Sequence, residues 1–511
     1  MRKVNAVGAG VLLAGLAATV AIAAPGASTG PSSSDPPYVV RSEPGIVTKS
    51  IITVGADTAD NGYGMAGIPD GLGAYDNNDG TFTVLMNHEL PITAGVARAH
   101  GAVGAFVSKW RIQKGSLRVL EGSDLIQNVA TWNSGTSSYN APAKGIAIGR
   151  LCSADLPERT AFYNPTSGKG YNGRIFMNGE EVGPEGRAFG TAVATGVAYE
   201  LPALGRVSFE NSVAHPKSGD KTVVVSLDDA TPGQVYVYAG DKTTSSNPAV
   251  AAGLTNGKLY GIKVAGVPLE FGKSDWAVGS TLSFTGVEVS GATGAALDTD
   301  SKAKLVTDFE RPEDGAWDPQ NPSDFYFVTT SNIVPASGRS GHTRLWRLRF
   351  TDPANPALGG SIELLVNGPA SGLSADPDET PGPRMFDNMT VDDRGRVLIQ
   401  EDTGETPYRG RLWLYEIDSG ELTEIARHTP EFFKSGEPGF FTLDEESSGI
   451  IPAPFLGQGW YLADVQAHPF DTDGNGGTPV GYVNRPAPTA AQVEYGQLLA
   501  IHVPPGKYGS K

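Results

Sequence analysis

Asp70, Glu89, Cys152, Glu181, Glu210, Asp229, Glu313, Asp387 and Asp402 share a setting. Each stands at the end of a short β-rich run or in the polar stretch that precedes one. A single acid in such a place is an ordinary turn residue or a solvated charge. Recurrence suggests instead that these side chains gather at one site. Carboxylates packed together repel, and their ionised forms are disfavoured unless a cation sits among them. Hard oxygen ligands in number suit calcium. Cys152 is the only cysteine. As a thiolate it would select a softer or higher-valent transition metal than calcium. As a thiol it would be a small buried hydrophobe.

Other local signals carry less. The stretch D-T-D-G-N-G from Asp471 matches half of a calcium loop, with Asp471, Asp473 and Asn475 at ligand positions. Its twelfth position is Tyr482 rather than Glu, so it reads as a turn. Asp76 to Gly80 reads as a hairpin turn. Outside Gly26-Ala27-Ser28-Thr29-Gly30 of the leader no G-x-S-x-G occurs, and no H-E-x-x-H or phosphate-loop motif occurs anywhere. The seven histidines are scattered, and only His88 falls at a candidate strand end.

The elements that would position these residues form a repeat. A β-rich run ending in a polar residue recurs six times: TFTVLMNHE to Glu89, RIFMNGEE to Glu181, TVVVSLDD to Asp229, FYFVTTSN to Asn332, RVLIQED to Asp402 and WYLADVQ to Gln466. A short polar element precedes each run, and a second strand, often opened by Gly, follows most of them. Repeated β units without helices are the signature of a propeller, because one blade cannot bury its faces alone. The expected fold is all-β: a six-bladed β-propeller over residues 45–505, with long inter-blade insertions such as 241–300 placed on its faces. The polar strand ends would converge on the axis.

Composition bounds the partners. The chain has 56 acidic against 39 basic residues, a net charge of −17. That argues against nucleic acid, whose phosphates would be repelled. One cysteine permits no intrachain disulfide. Arg2 and Lys3 precede an apolar run that ends in Ala21-Ile22-Ala23, which reads as a signal peptide over residues 1–23. Residues 24–44 read as a disordered leader. No later stretch is long and apolar enough to span a bilayer. A secreted or periplasmic monomer, free of the membrane once the signal is removed, is the expectation.

Asn87-His88-Glu89, Cys152 ahead of Gly179-Glu180-Glu181, Asp228-Asp229, Arg311-Pro312-Glu313 and Asp387-Asn388 together resemble the PhoX-type alkaline phosphatases, in the same order along the chain. The resemblance implies a six-bladed propeller carrying Fe3+ and Ca2+ on its axis. It implies phosphate monoester hydrolysis without a serine nucleophile. Cys152, Glu210, Glu313 and Asp402 would be metal ligands, and Arg311 would hold the phosphate of a small phosphorylated substrate. Two features depart from the family: Arg2-Lys3 replaces its twin arginines, and residues 153–178 are longer than its equivalent stretch. Pro312 biases Arg311 towards an extended backbone, which would turn Arg311 and Glu313 to one side. Two other classes fit a calcium-bearing propeller: a lactonase-like hydrolase and a non-catalytic binding protein.

Overall fold

Short β-rich runs broken by glycine and proline can satisfy their backbone only by folding back on one another, and they do so as antiparallel meanders. The computed structural model describes residues 26–271, 276–330, 342–370, 372–469 and 484–504. Six meanders begin with strands β1 (Pro69–Asp76), β2 (Leu151–Asp155), β3 (Phe209–Ala214), β4 (Pro312–Trp317), β5 (Phe386–Val391) and β6 (Glu445–Pro452). Each first strand packs against the next, and β6 packs against β1, so the six close a ring. The fold is a β-propeller.

The innermost strands are not the runs that sequence pattern suggested. The short polar elements, PDGLGAYD and LCSAD among them, are themselves β1 to β6. The β-rich runs pair outside them, as Thr81–His88 does with β1. The reason is solvation. A strand facing a polar channel needs no apolar alternation, so it lacks the pattern by which strands are recognised.

Apolar side chains fill the spaces between sheets. Leu85, Val107, Leu151, Phe176 and Phe189 share one such cluster between the first two meanders. The ends of the chain lock the ring. Val47–Thr53 pairs antiparallel with Tyr495–His502 in the sheet of β6. Residues 26–44 are not a disordered leader. Ala27–Thr29 pairs with Val47–Thr53, Val39–Arg41 pairs with Leu422–His428, and Tyr38 is fully buried against Phe432 and Phe433. The 241–300 insertion also lies elsewhere than expected. Its strand Thr281–Val289 pairs with Gly360–Asn367 at the perimeter, joining two meanders into one nine-stranded sheet. The signal peptide, Asn332 and the D-T-D-G-N-G stretch lie outside the described residues. No helix among the described residues is long and apolar enough to cross a membrane.

Candidate metal and phosphate site

The ring places chemistry by position in the repeat. The second residue of each innermost strand is Asp70, Cys152, Glu210, Glu313, Asp387 or Glu446. Each strand also shifts register against its neighbour within two residues of that position. A bulge bends its strand and re-aims a side chain. Here six such shifts accompany six metal-binding residue types around one axis.

A second set comes from the ends of the adjoining strands. The backbone N–H of Glu89, Glu181, Asp229, Thr330, Asp402 and His468 donates to the carbonyl of Ile68, Arg150, Ser208, Arg311, Met385 and Asp444 respectively, at 2.8–3.1 Å. Each acceptor immediately precedes its innermost strand. This clasp, repeated in every meander, brings Glu89, Glu181, Asp229 and Asp402 to the same end of the ring as the first set.

The side chains converge in two groups. Asp70, Glu89 and Cys152 have ligand atoms within 4.8 Å of one another, and so do Glu210, Glu313 and Asp387; all six are buried. Cys152 joins the groups. Its Sγ lies 3.0 Å from Glu210 Oε2 and 3.5 Å from Asp70 Oδ2. The eight acids and one thiol named from the sequence therefore share one neighbourhood. Asp402 enters it through a backbone bridge to Glu446 and through its repulsion of Asp387.

Burial pushes Asp70, Glu210, Glu313, Asp387 and Glu446 well above the usual carboxylate range. Neighbouring carboxylates add to it: Glu89 at Asp70, Asp387 at Glu210 and Asp402 at Asp387. Arg311 offsets part of the effect at Glu313. Burial also raises the Cys152 thiol, helped by Asp70 and Glu210. Glu210 Oε1 is buried without a hydrogen-bond partner. Such a set must hold protons or cations, because ionised carboxylates at this density repel strongly out of water. The donors fit metal: many hard oxygens and one thiolate-forming sulfur.

Two arginines border the acids from equivalent places, directly ahead of β4 and β2. Arg311 Nε and Nη2 donate to the two Asp229 oxygens at 2.7 and 2.9 Å, and Nη2 lies 3.1 Å from Glu313 Oε1. Arg150 Nη2 lies 2.5 Å from Glu89 Oε1 and 2.8 Å from Glu181 Oε2. Arg311 is not extended as Pro312 would favour. Its φ is +39°, and Ile68 and Met385 at the same point of their repeats have φ of +49° and +41°. The left-handed turn occurs at three of the six clasped positions and is costly for a residue with a Cβ. Arg311 meets Glu313 nonetheless.

Sequence reasoning missed three members. Glu446 lies in the sixth polar element, and aligning it with Cys152 and Glu210 would have found it. Arg150 occupies the Arg311 position two units earlier. Gln466 Nε2 donates to Asp70 Oδ2 and Glu89 Oε2 at 3.1 Å and to Glu446 Oε1 at 3.3 Å. His88, the one histidine at a strand end, is structural. It is buried, stacked on Phe106 and bonded to Ser108.

Below the ligand layer a polar layer locks the strands. Asn211 Nδ2 donates to Asp314 Oδ1 at 2.7 Å and to Ser153 Oγ at 3.3 Å, and Asn388 Nδ2 donates to the same Ser153 Oγ at 3.2 Å. These are the third residues of their innermost strands, so the layer that braces the site is built by the same repeat.

Residues 192–446 match the family model of alkaline phosphatase PhoX. Among solved structures, Pseudomonas fluorescens PhoX in complex with vanadate, a transition state analogue, is similar over 91% of this chain and 96% of its own. The sequence identity is 13% and the TM-score 0.62. An α-L-arabinofuranosidase from Fusarium graminearum, in complex with an iminosugar inhibitor, is similar over 90% of this chain and 98% of its own, at 9% identity and TM-score 0.40. A search of curated proteins found no match.

Proposed function

We propose, from the premise that this chain belongs to the alkaline phosphatase PhoX family through residues 192–446, that it hydrolyses phosphate monoesters at a multi-metal site on the propeller axis. The observation that carries the reading is the convergence of Cys152 and buried carboxylates from five meanders with half-buried Glu446 from the sixth, two arginines standing beside them. The counting of six blades rests on the closed ring of β1 to β6.

Cys152, Glu210, Glu313 and Asp387 would hold the iron side of the site. Asp70, Glu89, Glu181, Asp229, Asp402 and Glu446 would complete the oxygen set for calcium. Bound Fe3+ and Ca2+ would supply charge neutralisation at the phosphoryl oxygens and a water acidic enough to act near neutrality. The remaining work belongs to the chain. Asp229 and Glu313 occupy the Nε and Nη2 donors of Arg311, and among the described residues Nη1 donates to nothing. Asp229 thus fixes the plane of the guanidinium and leaves one end for a phosphate oxygen. Arg150, gripped by Glu89 and Glu181, borders the site from the neighbouring meander. Such charge-assisted bonds are directed, and the two cations attract an anionic ester into an otherwise acidic ring.

The same reading carries export by the N-terminal signal and a monomeric protein outside the membrane. The test is hydrolysis of an aryl phosphate by the purified, metal-replete protein, with release of inorganic phosphate followed. Turnover that chelation abolishes supports the proposal; a metal-replete protein that releases no phosphate refutes it.

A further inference from the structure

Glu89 and Glu181 each lead straight out of the site into an exposed apolar residue. Ile92 follows Glu89 by three residues and is 48% exposed; Val182 follows Glu181 directly and is 45% exposed. Few large apolar side chains among the described residues are exposed to this degree. Single exposed apolar residues need no explanation, but two lining one concavity do. Together with Pro91 they wall a cleft of about 530 Å³ that is also lined by Arg150, Arg187, Arg206, Glu180 and Glu185.

Gly149 lies between the two walls. A Cβ there would lie 3.0 Å from Val182 and 3.5 Å from Ile92, so a larger residue would crowd the space between them. The other two arginines are neutralised. Arg187 donates to both oxygens of Glu180 at 2.5 and 2.6 Å, and Arg206 to Glu200 at 2.8 Å. The cleft therefore offers an apolar surface that meets the metal and phosphate site at Arg150; Glu185, its one lining charge without an ion pair among the described residues, accepts from the Gly294 N–H at 3.0 Å and is a carboxylate, which attracts no second anion.

We infer that this cleft is the subsite for the alcohol portion of the ester, and that Ile92 and Val182 make the enzyme prefer phosphomonoesters of aromatic or apolar alcohols over those of small polyols. The inference rests on the phosphatase reading above. Glu181, which pairs with Arg150, also faces Asp229, the partner of Arg311, so a phosphate held by Arg311 would have Arg150 and the cleft beside it to receive the alcohol portion. An aryl or alkyl group would there cover Ile92 and Val182 and remove them from water. One or two methylenes of apolar contact are worth about 10- to 200-fold in discrimination. The cleft is open on one side, so the lower end applies.

The test uses the full metal-replete protein and the double variant Ile92→Ser/Val182→Ser, with melting temperature as the folding control. Two readouts are taken. One is the ratio of kcat/KM for phenyl phosphate to that for glycerol 2-phosphate. The other is the ratio of Kd for methylphosphonate to that for phenylphosphonate, which are not turned over. Both ratios are expected to fall about tenfold in the double variant. Val182→Phe, which enlarges the apolar wall, should raise the phenylphosphonate preference. Ratios that do not move in a folded double variant overturn the inference and leave the phosphatase reading intact. A wild-type protein that hydrolyses neither ester overturns that reading and the inference with it.

Discussion

Arg311→Lys separates directed phosphate binding from simple charge. In the native site Arg311 spends two donors on Asp229, at 2.7 and 2.9 Å, and still has Nη1 to offer. Lysine keeps the positive charge but carries one nitrogen. If that nitrogen stays with Asp229 and Glu313, its three N–H bonds radiate from one point and do not reach where Nη1 of the fork stood. If it turns to the phosphate, Asp229 loses its partner and the geometry that fixed the cation. Either way one charge-assisted hydrogen bond is lost, worth about 1.5–3 kcal/mol. At about 1.4 kcal/mol per decade this is a fall of about ten- to a hundredfold in kcat/KM for an aryl phosphate. The Arg311 side chain is 27% exposed, so the change should cost little stability. Steady-state kinetics, with metal content and melting temperature measured on the same sample, is the assay. Wild-type kinetics in the lysine variant would refute the reasoning, because they would show that the fork does not touch substrate.

Three further outcomes follow from the site and its surroundings. Cys152→Ser should lower bound iron and activity while the melting temperature of the metal-free protein stays nearly unchanged, since a hydroxyl can keep the contact to Glu210; unchanged iron would exclude the sulfur as a ligand. Removing metal with a chelator should lower the melting temperature, because a cation at a hundred times its Kd adds about 2.7 kcal/mol to the folded state; calorimetry showing no shift in protein stripped of metal would count against the axial cations. Asp155 is raised to about 7, chiefly by burial. The folded protein therefore keeps a proton there that the unfolded chain loses above about pH 4, and this contribution to stability fades as pH rises towards 7. Asp155→Asn removes that dependence and can still accept from the Ala214 N–H, so its melting temperature should gain on the wild type between pH 5 and pH 8; parallel curves would contradict this.

The repeat and most of the site were legible in the sequence because acids recur at fixed places in it. Glu89, Glu181, Asp229 and Asp402 end strands with enough β-branched and apolar residues to be seen. Their partners Asp70, Cys152, Glu210, Glu313 and Asp387 were visible only as polar stretches. Those stretches are the innermost strands, and a strand that faces a polar channel gives no alternating signal. That is also why Glu446 escaped notice among the serines of Glu445–Gly449. Arg150 was hidden for a different reason. Its position is defined by the clasp between its carbonyl and the Glu181 N–H, a contact that no spacing announces. The leader was misread from composition: its small and polar residues hid Tyr38, which is buried against Phe432 and Phe433.

The central claim is that the carboxylates and thiol on the axis hold cations and not merely protons. Elemental analysis of the purified full-length protein tests it most directly, alongside the same analysis of Glu210→Gln and Glu313→Gln. The account predicts iron and calcium bound in fixed ratio to the chain, with both reduced in the two variants. A folded wild-type protein that retains neither metal after equilibration with both would contradict it.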